Sequence, residues 1–259
     1  MSSVNRQILN QWLNQSLQIH LFKDYAPNGL QLQGKSEIKK IVMGVTASKA
    51  FLEKAVQAGA DAVIVHHGWF WKNEDPCITY MKYERIAYAI QHGLNVFAYH
   101  LPLDAHPLWG NNAQLAQVLG FKVNMLNEQP ETCGHGNLVW LGAPPEGKEE
   151  LGVLEQHIAT ILHRQVLFIG NKNKKVSRIA WCTGGAQSYF EAAIQVGAEA
   201  FITGEASEQV FHIANESGVA FFGAGHHATE RYGVQALGRA IQEKFPDLAV
   251  EFIDLPNPI

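Results

Sequence analysis

Residues 41–67 of this chain align without a gap on residues 179–205, at a constant offset of 138, and no other feature narrows the fold as much. Eight positions are identical, and seven of them fall within residues 53–64: Glu53 with Glu191, Ala55 with Ala193, Gln57 with Gln195, Gly59 with Gly197, Ala60 with Ala198, Ala62 with Ala200 and Ile64 with Ile202. Each copy reads as an apolar strand, an amphipathic helix, a Gly-Ala turn and a second apolar strand. In both, a further helix, a glycine (Gly93, Gly218) and a third apolar run (96–99, 219–222) come next, leading into a histidine and an acid four positions on: His100 with Asp104, and His226 with Glu230. Alternating helices and strands define an α/β protein. The repetition predicts two related β-α-β-α-β halves packed together, residues 1–125 and 126–259. Each half would present functional residues at the carboxyl ends of its strands, where open α/β sheets bind ligands. Whether the stretch 221–259 packs on its own half or returns to the first is open at this level.

The finer reading places an amphipathic helix over 3–17, strands at 40–45, 62–65 and 95–99, and helices at 48–58 and 82–92. Between the halves it places strands at 136–141 and 165–169 around a helix at 149–163. The chain has 259 residues, 47% of them hydrophobic and 17% charged, the composition of a core-forming protein rather than a disordered one. With 20 Lys+Arg against 24 Asp+Glu the formal charge is −4, so the basic footprint of a general nucleic-acid binder is absent. No apolar run approaches the roughly 20 residues that cross a bilayer, so no membrane partner is expected. The start carries no basic flank followed by an apolar core, so no signal peptide is expected. Cys77, Cys133 and Cys182 are odd in number and far apart, which favours a reducing cytoplasm over a disulfide framework.

Histidine is the over-represented residue. Six of the twelve fall in three clusters: His66-His67, His100 with His106, and His226-His227. His66 and His67 follow an apolar strand and precede Gly68, so they sit where the chain leaves the sheet. There two neighbouring imidazoles can reach different ions, or simply form a hydrogen-bonded pair. Asp104 and Glu230 shift the balance, because a carboxylate can bridge two divalent ions while imidazoles complete their shells. A mixed set on several loops suits Fe, Zn, Mn or Ni, and five or six candidate donors exceed what a single tetrahedral zinc takes.

Other candidates carry two readings each. Residues 183–188, with Gly184 and Gly185, lie between a strand and a helix and either cradle a phosphate with backbone N–H groups or form a tight turn. Glu205 aligns with His67 in the repeat and is a candidate general base or a plain helix-starting glutamate. Trp69, Phe70 and Trp71 either stack on a base or wall the cleft. His20, His92, His106, His157 and His163 lie outside the recurring pattern and read as surface or packing residues.

The motifs Asn28-Gly29-Leu30-Gln31, residues 63–68 (VIVHHG), residues 100–104 (HLPLD) with Gly110-Asn111-Asn112, Cys182-Thr183-Gly184-Gly185, Thr203-Gly204-Glu205 and residues 225–231 (GHHATER) together resemble the Nif-three-like family, the GTP cyclohydrolase I type 2 homologues, in its short bacterial form. The resemblance implies the Nif-three-like fold and a dinuclear site of two divalent ions held by His66, His67, Asp104, His226 and Glu230, with Glu230 as the bridge. It also implies a toroidal homohexamer. His100 comes next in rank, as a ligand or as a partner holding a carboxylate, and His227 as a partner of the ligands rather than a ligand. The function implied is a metal-dependent hydrolase acting through activated water on a nucleotide-like small molecule, with opening of the guanine ring of GTP as the named activity. The same ions would also serve a metal-dependent phosphoesterase, or a metal-binding regulatory, storage or delivery protein without turnover.

Overall fold

A computed structural model describes residues 3–259. The chain forms two compact units, one made of the chain up to Gly110 together with Gly233–Pro256, the other of Asn111–Tyr232 together with Asn257–Ile259. The division falls before residue 125 because the helix Asn111–Leu119 buries Leu115, Ala116 and Leu119 in the core of the second unit. The C-terminal stretch returns to the first unit, where the strand Ala249–Phe252 pairs in parallel with Lys40–Thr46.

The first unit is a five-stranded sheet in the order Ala249–Phe252, Lys40–Thr46, Ala62–His67, Asn95–Ala98, Gly29–Leu32. The first four strands are parallel and the last is antiparallel. The central strands carry apolar side chains on both faces, the pattern of a sheet covered by helices on each side. Ile41, Met43, Ala62, Ile64 and Phe97 face one core, with Leu9, Leu13, Leu237 and Ile241 from helices Arg6–Ser16 and His226–Lys244. Val42, Val63, Val65, Val96 and Ala98 face the other, with Phe51, Leu52, Ile86 and Ala89 from helices Lys49–Gln57 and Tyr80–Gln91. Ser48 caps the first of these two helices by accepting the Phe51 N–H through its hydroxyl.

The second unit is built around the parallel strands Ile179–Trp181, Ala200–Thr203 and Ala220–Gly223, flanked by the antiparallel strands Val139–Ala143 and Leu167–Ile169. Trp140, Ile179, Trp181, Ile202 and Phe222 pack on the helices Asn111–Leu119 and Leu151–Leu162. On the other face Phe190, Phe201 and Phe221 form an aromatic cluster with ring centroids 5.2–6.0 Å apart.

The internal repeat is a repeat of pairing register. Ile41 pairs with Ala62 and Met43 with Ile64 in the first unit, as Ile179 pairs with Ala200 and Trp181 with Ile202 in the second. Among the described residues, no helix is long and apolar enough to cross a membrane.

Candidate metal centre

In the first unit, donors gather where the parallel strands end. His66 continues the face of Ala62 and Ile64, and His67 that of Val63 and Val65, as period-two alternation requires. The strand ends there, and the two rings approach to 4.6 Å between centroids. His100 follows the next strand, its ring 5.1 Å from His66 and 5.9 Å from His67. Donor atoms of His66, His67 and His100 lie within 4.8 Å of one another. Asp104, four residues on in the short helix Leu101–Ala105, sets Oδ1 3.4 Å from His66 Nε2. His66 is fully buried and Asp104 is 6% exposed.

The ring nitrogens show how these imidazoles are aimed. His66 Nδ1 lies 2.9 Å from the Tyr99 carbonyl, so it donates there. His67 Nδ1 lies 3.2 Å from Thr46 Oγ1, and His100 Nδ1 donates to Asp24 Oδ1 at 2.7 Å. Each ring is thus tied back to protein oxygen through Nδ1, which leaves Nε2 as the nitrogen turned to the cluster. Ligating histidines are oriented in this way, by a second hydrogen bond from the far nitrogen.

In the second unit, His226 opens the helix His226–Lys244 and Glu230 follows one turn later on the same face. His226 Nε2 stands 3.1 Å from Glu230 Oε2, and its Nδ1 donates to Glu205 Oε1 at 2.6 Å. Burial disfavours a charge on His226, but the carboxylates of Glu230 and Glu205 on either side outweigh it and push its pKa up to about 9 in the metal-free protein. Glu230 is 2% exposed. Room for it comes from Gly184, which has φ +71°, and a Cβ there would sit 2.0 Å from Glu230 Oε1.

The candidates set out from sequence sort accordingly. His66, His67, His100 and Asp104 converge in the first unit, and His226, Glu230 and Glu205 in the second. Glu205, a candidate base, has one oxygen committed to His226. The Gly184 N–H, a candidate phosphate donor, is taken by Thr229 Oγ1 at 3.0 Å, and Gly185 lies against the His226 ring instead. His227 falls in no group of three or more donors among the described residues. Trp69 is packed, its Nε1 donating to the Ala47 carbonyl, whereas Trp71 lies edge-on to His100 at 5.0 Å and 5.9 Å from His67. His157 donates through Nε2 to the Leu119 carbonyl, and His106 stacks on Trp109 at 4.4 Å. Asp24 escaped the sequence reading, because a single acid in the turn before Pro27 carries no pattern linking it to a histidine 76 positions away.

Imidazoles tied at Nδ1 beside buried carboxylates, in a doubly covered α/β protein, make groups of donors that could hold a metal ion. This chain belongs to the Duf34/NIF3 (NGG1p interacting factor 3) family, whose model matches residues 4–258. A relative from Neisseria meningitidis serogroup B, "GTP cyclohydrolase 1 type 2 homolog", is 51% identical over 247 residues, 95% of this chain and 96% of that one. The protein of the same description from Escherichia coli K12 is 49% identical over 251 residues, 96% and 98% of the two chains. Among solved structures, "protein ybgI, unknown function" superposes with a TM-score of 0.91 at 46% identity, over 99% of this chain and all of that one. A protein from Thermus thermophilus, TTHA1606, gives 0.81 at 30% identity, with coverage of 99% and 100%.

Proposed function

We propose that the protein is a dinuclear metal-dependent hydrolase of a nucleotide-like small molecule. On the family resemblance, His66, His67, Asp104, His226 and Glu230 would hold two divalent ions, of Fe, Zn, Mn or Ni. The observation that carries this reading is the common orientation of the imidazoles, each tied to protein oxygen through Nδ1. Isolated packing histidines have no reason to share that arrangement. When bound, such ions lower the pKa of a water and polarise the bond it attacks.

The chain's own residues do the rest. Asp104 and Glu230 bring negative charge into buried ground that needs a cation to balance it. Trp71 offers a flat wall beside His67 and His100 for a planar ring. The names of the relatives support a guanine nucleotide as the first substrate to try. A toroidal homohexamer, from family resemblance, completes the reading. A cytoplasmic location agrees with three free cysteines.

The test is elemental analysis followed by turnover. Purified protein should hold close to two divalent ions per chain, and the loaded protein should consume GTP or another nucleotide in a chelator-sensitive way. Two ions without turnover of any nucleotide or phosphoester would favour metal storage or delivery. No uptake of ions by metal-free protein would end the dinuclear reading.

A further inference from the structure

One buried acid in the first unit belongs to none of the proposed ligands. The Asp24 side chain is 3% exposed and every contact it makes is with a donor. Oδ1 accepts from His100 Nδ1 at 2.7 Å and from the adjacent Tyr25 N–H at 2.6 Å. Oδ2 accepts from Asn28 Nδ2 at 2.8 Å and from the Leu101 N–H at 2.9 Å. Asn28 in turn accepts the His100 N–H through Oδ1 at 2.7 Å, so it cannot flip its amide. Burial works against a charge on Asp24, but the hydrogen bonds from His100, Asn28 and Tyr25 outweigh it and hold the carboxyl below the ordinary carboxylate range. Asp24 is therefore an ionised acceptor at neutral pH, and an ionised carboxylate has no proton to give.

We propose that Asp24 is a positioning residue that fixes His100 in the tautomer with Nδ1 protonated, so that His100 offers the imidazole cluster a lone pair at Nε2 rather than an N–H. The inference rests on the metal-centre reading for its consequence but not for its geometry. A lone pair beside His66 and His67 can take an ion or accept the O–H of a water or substrate. An N–H could do neither. The same logic governs histidines held by a buried acid in hydrolase triads, where exchanging the acid for its amide keeps the geometry and reverses the tautomer.

Asp24→Asn is the discriminating change. The partners at Oδ2 are a backbone N–H and an amide that cannot turn, so the new carbonyl oxygen must face them. Oδ1 meets one fixed donor, the Tyr25 N–H, against two at Oδ2, so this orientation gives up least. The new NH2 then points at His100 Nδ1, and the imidazole adapts by moving its proton to Nε2 while the Tyr25 hydrogen bond is lost. The expected ¹⁵N spectrum of metal-free protein shows His100 protonated at Nδ1 in the wild type and at Nε2 in the Asp24→Asn variant. His100→Gln leaves the other bonds of Asp24 in place and serves as the second variant if the first folds poorly. Titration of both variants with Zn²⁺, and turnover by the loaded protein, separate the two uses of the lone pair. A tenfold to hundredfold loss of affinity means that an ion takes it, and intact affinity with a comparable loss of turnover means that an O–H does. An unchanged tautomer in Asp24→Asn, or two variants with wild-type affinity and wild-type turnover, overturns the proposal. Failure of wild-type protein to take up Zn²⁺ would remove the metal centre and leave the tautomer result to stand or fall alone.

Discussion

The two units hang different donors on the same frame. Their parallel strands pair in the same register, yet where the first unit ends a strand in His66-His67 the second ends its equivalent in Gly204-Glu205. A side chain has no room at Gly204, since a Cβ would lie 2.6 Å from the Gly184 carbonyl oxygen and 2.6 Å from His226 Cα. The second unit instead draws its imidazole from the start of the helix His226–Lys244, after the next strand Ala220–Gly223, and Glu230 comes with it one turn on. The result is an imidazole-rich set in one copy of the repeat and a carboxylate-rich set in the other. Imidazoles would leave the charge of a bound cation intact, and carboxylates would cancel it.

That contrast is broken most severely by removing a carboxylate. If Glu230 bridges two ions and Asp104 holds one, Glu230→Ala should release both and Asp104→Ala only one, with affinity for each released ion falling more than about 100-fold, beyond what loss of a supporting partner costs. Elemental analysis after dialysis reads the stoichiometry directly, and equal loss from the two variants would remove the bridge. Next in size is Gly204→Ala. It should lower stability by about 3 kcal/mol, because the atoms in its way are backbone and cannot turn aside. Thermal melting of metal-free protein is the measurement, and a variant as stable as wild type would show that the second unit could have carried a strand-end histidine after all.

Much of this architecture is legible in the sequence, and the reasons differ by region. The strands at 40–46, 62–67 and 200–203 declare themselves because both their faces are apolar, and the 138-residue offset repeats a register as well as residues. The unit boundary is not legible, because Asn111–Leu119 is amphipathic and would suit either core. Nor is the return of Ala249–Phe252 to the first sheet, since an edge strand with alternate exposure can pair with any open edge. At the site, histidines with an acid four residues on are visible as pattern. The groups that aim them, Asp24, Thr46 and the Tyr99 carbonyl, are supplied by folding from distant or featureless positions.

The two units should also respond to pH in opposite directions when metal is absent. His226 has a folded pKa of about 9 against an ordinary 6.5, so it binds a proton more tightly in the folded state. Its contribution is complete below pH 6.5 and is lost as pH rises through about 9, and a raised value of this size corresponds to about 2 to 3 kcal/mol after allowance for partial exposure. Asp24, whose pKa is lowered, contributes above the ordinary carboxylate range and its share is lost as pH falls below it. Urea unfolding with chelator at about pH 6 and about pH 9.5 should show wild type less stable at the higher pH, with the difference shrunken in His226→Asn. A His226→Asn variant that loses just as much stability between the two pH values would disprove the assignment.

The smallest effect tests whether the two orienting acids are equivalent. Glu205 holds His226 Nδ1 as Asp24 holds His100 Nδ1, but Glu205 is about one-third exposed and, among the described residues, its other oxygen is not pinned by fixed donors. In Glu205→Gln the new amide can therefore turn its carbonyl oxygen to His226 and leave the tautomer as it was. What is lost is the negative charge that makes the imidazole a better donor, a change of about tenfold in metal affinity, or roughly 1.4 kcal/mol. Competition with a chelator of known affinity measures the change in affinity, and the ¹⁵N spectrum of His226 in metal-free protein, taken above its pKa of about 9 where the ring is neutral, reads the tautomer. A tautomer switch at His226 in Glu205→Gln would make the two acids alike. An unswitched His226 beside a switched His100 in Asp24→Asn would show that what sets a histidine's tautomer here is the number of fixed donors on the acid behind it.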